Sequence, residues 1–146
     1  MKIYNFSESH SIYSKFLSEL RDVSIQKDSM RFRRNLERLG EIAAYEISKE
    51  LDYCQSDVTT PLGISKMDLI DEPIVLATIL RAGLPLYHGM LNYFDNSESC
   101  FISAYRKHTT NEDFEVEIEY LSSPDLNDKT ILLNDPMLAS GKSMVL

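Results

Sequence analysis

Apolar positions in the first third of the chain recur at helical spacing. In "SHSIYSKFLSELRD" the residues Ile12, Phe16, Leu17 and Leu20 fall on one face, which predicts a helix. "SMRFRRNLERLGEIAAYEISKEL" repeats the pattern with Phe32, Leu36, Leu39, Ala43 and Ile47, and Ser29 stands where an N-cap is expected. The arginines at 31, 33, 34 and 38 lie off this stripe, as a solvated helix face or a subunit contact would place them. After Leu51 the texture changes. "DVTTPLGISKMDLI" sets β-branched residues around a Pro-Leu-Gly turn and predicts a hairpin. "PIVLATIL" is continuously apolar from Ile74 to Leu80, as a strand covered on both faces is. "GLPLYHGMLNYF" returns to helical spacing, "CFISAYR" is a short strand, "EVEIEYL" alternates strictly, and "TILLND" is again a buried strand. The pattern predicts an α/β fold. Strands at 74–80, 99–105 and 130–135 share one sheet, and residues 84–94 are helical between the first two.

Composition narrows this picture. A chain of 146 residues, 43% hydrophobic and 26% charged, fits one globular domain with a sizeable core. No repeat or interdomain linker divides it. We take residues 1–51 as a helical region and 52–146 as the α/β core. The net charge of -8 argues against a nucleic-acid partner, because an acidic surface repels phosphate backbones. Cys54 and Cys100 form no metal-ligand cluster with the histidines, and reduced, partly buried thiols are expected. No apolar run approaches the roughly 18 residues of a membrane span, and the N-terminus has no apolar signal region, so a cytoplasmic protein is expected.

Candidate chemistry sits where buried strands end. Open α/β sheets place ligands at the carboxyl ends of their strands. After Leu80 comes Arg81, then Ala82 and Gly83, then a helix: small residues let backbone N–H groups approach a phosphate, and the guanidinium supplies a bidentate donor. After "TILLN" comes "DPMLASGKS", residues 135–143. Here Asp135 closes the strand, Ala139, Ser140 and Gly141 allow a tight turn, Ser140 and Ser143 offer hydroxyls, and Lys142 adds charge. The final Gly-Lys-Ser imitates a nucleotide-binding P-loop. The first glycine of that motif would be Pro136, which lacks the N–H and the freedom in φ, so the P-loop is rejected. We attach no catalytic role to Asn134.

The stretch from Asp135 to Ser143 resembles instead the phosphoribosyl-pyrophosphate (PRPP) loop of uracil phosphoribosyltransferases, usually Asp-Pro-Met-Leu-Ala-Thr-Gly-Gly-Ser/Thr. Further matches occur in order. "LRD" at 20–22 and "AYE" at 44–46 fit the family's helical N-terminal region, and "TPLG" at 60–63 fits its hairpin. "ILRAG" at 79–83 fits its pyrophosphate loop, and "YR" at 105–106 its PRPP-contacting arginine. The resemblance implies a phosphoribosyltransferase-type sheet of mainly parallel strands, with helical crossovers, a hairpin and N-terminal helices. It implies transfer of 5-phosphoribosyl from PRPP to N1 of uracil, giving UMP and pyrophosphate.

Asp135 is then the catalytic residue, stabilising positive charge on the ribose. Pro136, Met137, Leu138, Ala139, Ser140, Gly141, Lys142 and Ser143 surround the 5-phosphate. Arg81 and Arg106 neutralise the pyrophosphate, with Leu80, Ala82 and Gly83 forming its loop. Mg2+ is expected to be bound mainly through PRPP, without a protein metal cluster. A homo-oligomer is implied, with no membrane or nucleic-acid partner. Lys142 departs from the family's second glycine. In the family this loop is followed by a helix, further strands and a uracil-reading segment. Leu146 falls about one turn into that helix. The expectation is therefore an N-terminal portion, its C-terminal part missing, that forms no measurable UMP by itself. A PRPP- or nucleotide-sensing regulator on the same fold and an inactive fragment are the alternatives.

Overall fold

The computed structural model describes the backbone of residues 2–108 and 114–137, and the side chains of residues 2–103 and 119–137. Helix α1 spans Tyr13–Arg21 and α2 spans Ser29–Ser48. They are followed by strands β1, Tyr53–Thr60, and β2, Gly63–Ile70. Strand β3, Ile74–Leu80, leads through a tight loop into α3, Leu84–Leu91. Strands β4, Glu98–His108, β5, Phe114–Ser122, and β6, Thr130–Asn134, complete the described order.

The N-terminal helices form where the apolar stripe predicts them, with two differences in detail. Asp28 caps α2, not Ser29: its carboxylate accepts from the N–H groups of Met30 and Arg31, at 3.1 and 3.0 Å. A charged acceptor at the helix N-terminus gains from the macrodipole as well as from the hydrogen bonds. Ile12 lies just ahead of α1 and is exposed, so the α1 stripe is carried by the half-buried Phe16, Leu17 and Leu20. In α2, Leu36 and Leu39 are buried and Phe32, Ala43 and Ile47 half-buried. Arginines of the opposite face are spent on the helices themselves. Arg34 pairs with Glu37 at 2.7 Å, and Arg38 donates to Asn35 and covers the Phe16 ring at 4.9 Å.

The sheet has the order β5-β4-β3-β6, with β4 and β6 parallel to β3 and β5 antiparallel to β4. The three strand segments expected to be neighbours are therefore neighbours, and α3 is the crossover between β3 and β4. Strand β4 is longer than its apolar run predicts. It continues past β3 by pairing with β5 up to His108↔Phe114. Helix α3 ends earlier than predicted, at Leu91. The regular ladder breaks there, with the Tyr93 and Phe94 N–H groups both donating to the Met90 carbonyl at 3.1 and 3.0 Å, and the chain turns. Among the described residues, strands β1 and β2 pair only with each other and form the predicted hairpin.

Burial on both faces accounts for the apolar run of β3, which Thr78 alone interrupts. On one face Ile74 and Leu76 pack with Ala44 of α2, Tyr87 and Met90 of α3, and Phe94. On the other, Val75 and Ala77 pack with Cys100 and Ile102 of β4. Full burial of a side chain such as Leu76 contributes about 1.5–3 kcal/mol. Helices α2 and α3 approach so closely that a Cβ at Gly89 would stand 2.0 Å from the Glu37 carbonyl oxygen. The result is a rigid core whose parallel strands β3 and β6 end side by side.

Candidate active site

Strands β3 and β6 run in register from Ile74↔Thr130 to Thr78↔Asn134. Because they are parallel, Leu80 and Asn134 deliver their loops to the same edge of the sheet. Leaving β3, the Leu80–Arg81 peptide is cis, and the chain folds back so that the Gly83 N–H donates to the Ile79 carbonyl at 3.1 Å. Gly83 is then the residue before α3, and Pro85 sits in the helix's first turn, where a missing N–H leaves no intrahelical bond unmade. Glycine is required at 83 by space. A Cβ there would lie 2.1 Å from Thr78 Oγ1, 2.7 Å from the Asn134 carbonyl oxygen and 2.9 Å from that of Ile79. The first loop thus rests on the end of the second strand.

Leaving β6, Asp135 is half-buried and its Oδ1 accepts from the Met137 N–H at 3.1 Å, an Asx-type turn that Pro136 accommodates. Arg81 and Ala82 from the first loop, and Pro136 and Met137 from the second, line one cleft of about 550 Å3. Its opposite wall comes from Leu17, Leu20 and Arg21 of α1 and Phe32, Arg33 and Leu36 of α2. Helix α1 is fixed on α2 by Glu19, which accepts from Asn35 Nδ2 at 2.7 Å and Arg31 at 3.4 Å. These hydrogen bonds, Asn35 foremost, hold the Glu19 carboxyl below its usual range. Arg21, Arg33 and Arg81 are exposed and make no ion pair among the described residues. An apolar cleft bordered by three uncommitted guanidinium groups suits an anionic ligand with an uncharged portion.

The structure brings together Leu80, Arg81, Ala82, Gly83, Asp135, Pro136 and Met137 of the residues singled out in the sequence. Register carries the backbone of Arg106 beyond Ser103, the partner of Leu80, and so toward the same edge of the sheet. Its side chain, and residues Leu138, Ala139, Ser140, Gly141, Lys142 and Ser143, lie outside the described residues. Among the described residues no group of three or more His, Cys, Asp or Glu is placed to hold a metal, and no helix is long and apolar enough to cross a membrane.

Sequence reasoning passed over Thr78 and Asn134. Both are fully buried, and Thr78 Oγ1 donates to the Asn134 carbonyl at 3.2 Å. The available signal was a polar residue inside each of two otherwise apolar runs. The cleft wall from α1 and α2 was also not assigned to the site, because helical periodicity does not say what a helix end faces.

Comparison with known proteins converges on the same reading. The family model described as "Uracil phosphoribosyltransferase" matches residues 7–146. The uracil phosphoribosyltransferase of Porphyromonas gingivalis is 51% identical over 146 residues, covering all of this chain and 68% of the relative. That of Methanococcus maripaludis is 34% identical over 148 residues, covering 98% of this chain and 61% of the relative. A solved protein of Aquifex aeolicus superposes with a TM-score of 0.80 at 29% identity, over 93% of this chain and 64% of that one. The chain thus spans between 61% and 68% of the length of these relatives. With the helical N-terminus, hairpin and parallel strand ends all in the expected order, the chain belongs to the uracil phosphoribosyltransferase family.

Proposed function

We propose that the cleft between Arg81 and Asp135 binds PRPP, and that the protein transfers its 5-phosphoribosyl group to N1 of uracil to give UMP and pyrophosphate. One observation carries the reading: the two loops that would hold the two phosphate ends of one ligand leave adjacent parallel strands and line one cleft. In the reaction the bond from the anomeric carbon to the pyrophosphate oxygen breaks, the bond to N1 forms, and the N1 proton passes to solvent. Positive charge develops on the ribose as the leaving group departs.

Each residue then has an electrostatic or positioning task. Asp135, acidic and half-buried at the strand end, accepts from ribose hydroxyls and stabilises the developing cation. Arg81, with Arg106, neutralises the pyrophosphate, while the backbone at Ala82 and Gly83 approaches it closely. Residues 136–143 hold the 5-phosphate, with Ser140, Lys142 and Ser143 as side-chain donors. The donor set fits magnesium chelated chiefly by the substrate's own oxygens, with Asp135 the nearby carboxylate of the chain. When bound, the ion supplies further charge neutralisation on the pyrophosphate. The same reading takes the protein to be a cytoplasmic homo-oligomer. The exposed apolar side chains of the hairpin, Leu62 at 100% and Ile64 at 71%, supply surface for a subunit contact.

Calorimetric titration of the purified chain with PRPP and Mg2+ tests the proposal. Saturable binding, weakened strongly in Arg81→Ala without a matching loss of thermal stability, is expected. No binding by the wild-type chain, or equal losses of binding and stability in the variant, would overturn it.

A further inference from the structure

Asn134 is the odd residue of its strand. It follows Ile131, Leu132 and Leu133, it is 1% exposed, and its Cα partner across the sheet is Thr78, also fully buried. Leu132, two residues earlier, packs with the cluster on the helix side of the sheet, and strand alternation puts Asn134 on that same face. Its side-chain amide donates to two carbonyls, Ala77 on β3 and Leu132 on its own strand, both at 3.0 Å. Its Oδ1 is buried and has no partner among the described residues. A buried acceptor without a partner destabilises a core position that an aliphatic side chain would fill without penalty. Stability alone therefore does not account for asparagine here.

The surroundings supply a reason. The Asn134 carbonyl receives Thr78 Oγ1 and lies against Gly83, where an added Cβ would stand 2.7 Å away. The same residue precedes Asp135. One peptide unit thus touches the loop that carries Arg81 and begins the loop that carries Asp135. Ordinary ladder bonds align two strands but do not set the height of a loop above them. The bonds from Asn134 to both strands, together with Thr78, fix that peptide under Gly83.

We propose that Asn134, with Thr78, is a positioning residue that sets the separation of the Arg81 loop from Asp135. Its consequence for PRPP rests on the reading of the cleft given above, but its effect on the Gly83 loop does not. The test is Asn134→Val in the full chain, read by three measurements: amide hydrogen exchange, thermal unfolding, and titration with PRPP and Mg2+. Exchange of the Gly83 amide, which donates to Ile79, is expected to rise about tenfold, the size of one hydrogen bond lost. The unfolding midpoint should be unchanged or higher, because the partnerless acceptor is gone, and PRPP binding should weaken about tenfold. Thr78→Val removes the other half of the contact. It should reproduce the Gly83 effect, and the double variant should show less than the sum of the two. It also serves if Asn134→Val fails to fold.

Unchanged Gly83 exchange in both variants overturns the proposal, whatever PRPP does. So does faster exchange spread over the whole core with a lowered midpoint, the mark of a merely structural residue. Faster Gly83 exchange in a chain that binds no PRPP even as wild type sustains the positioning role and sinks the PRPP reading instead.

Discussion

At its start the β3–β6 pair is tied by Glu72, whose carboxylate accepts from the Thr130 hydroxyl and, at 3.1 Å, from the Asp52 N–H. At its finish it is tied by the buried neutral pair Thr78 and Asn134 under Gly83. Glu72 and Thr130 are half-buried, so water shares in their interaction and a weakened tie is readily resolvated. The finish is dry, and a polar group displaced there has no water to turn to. The difference shows which end can absorb change. The start of the pair holds the sheet together, whereas the finish also decides where two charged loops meet.

The largest effect expected from breaking the finish is Gly83→Ala. The added methyl overlaps a hydroxyl and two backbone carbonyls, and only the hydroxyl can turn away. Chemical denaturation should show a loss of about 1–3 kcal/mol, and PRPP titration should show binding abolished or nearly so. Arg81→Ala separates chemistry from packing at the same end. Its side chain is exposed, so the unfolding midpoint should move by less than about 2 °C, while PRPP affinity falls at least about tenfold.

Breaking the start should do less. Glu72→Gln should lower stability by under about 1 kcal/mol at neutral pH and leave PRPP affinity unchanged. Its pH dependence has a definite sign. The Thr130 hydroxyl first, then the Asp52 N–H, hold the Glu72 carboxyl below its usual value. That contribution is complete above the unfolded-state pKa and is lost as pH falls through the lower folded-state value. The wild-type advantage over Glu72→Gln should therefore be flat near neutrality and disappear in acid, below the ordinary glutamate range. Unfolding curves of both proteins across pH check this. Leu133→Ala calibrates these losses. Its side chain is 38% exposed on β6, so chemical denaturation should show a smaller loss than the ~2–5 kcal/mol expected for Leu76→Ala at fully buried Leu76 on β3, with PRPP affinity unchanged.

The apolar runs made the sheet legible in the sequence. "PIVLATIL" is apolar because β3 is buried along its length. "TILLN" reads the same way, but β6 is not the fully buried strand expected: Leu132 packs against the core while Ile131 is 46% and Leu133 38% exposed on the other face. The loops were legible less through their turn chemistry, which Asp135-Pro136 and Ala82-Gly83 would satisfy in any ordinary turn, than through their place at strand ends and the match of 79–83 and 135–143 to the family's motifs. Element ends were less so. The cap at Asp28 and the early end of α3 at Leu91 depend on individual hydrogen bonds that periodicity does not encode. Neither was the far wall of the cleft visible, since the position of Leu17, Arg21 and Arg33 over the Arg81 loop follows from packing of α1 on α2 through Glu19 and Asn35. Asn134 illustrates the same limit. Its type was visible, but its meaning required the register with Thr78 and the closeness of Gly83.

That β3 and β6 end in one site for one ligand is tested most directly by amide hydrogen exchange of the wild-type chain, with and without PRPP and Mg2+. The amides of residues 81–84 and those of Asp135 and Met137 should gain protection together at one ligand concentration, while those of the hairpin at 53–70 stay unchanged. Protection of one loop without the other, or of neither, would contradict a shared site.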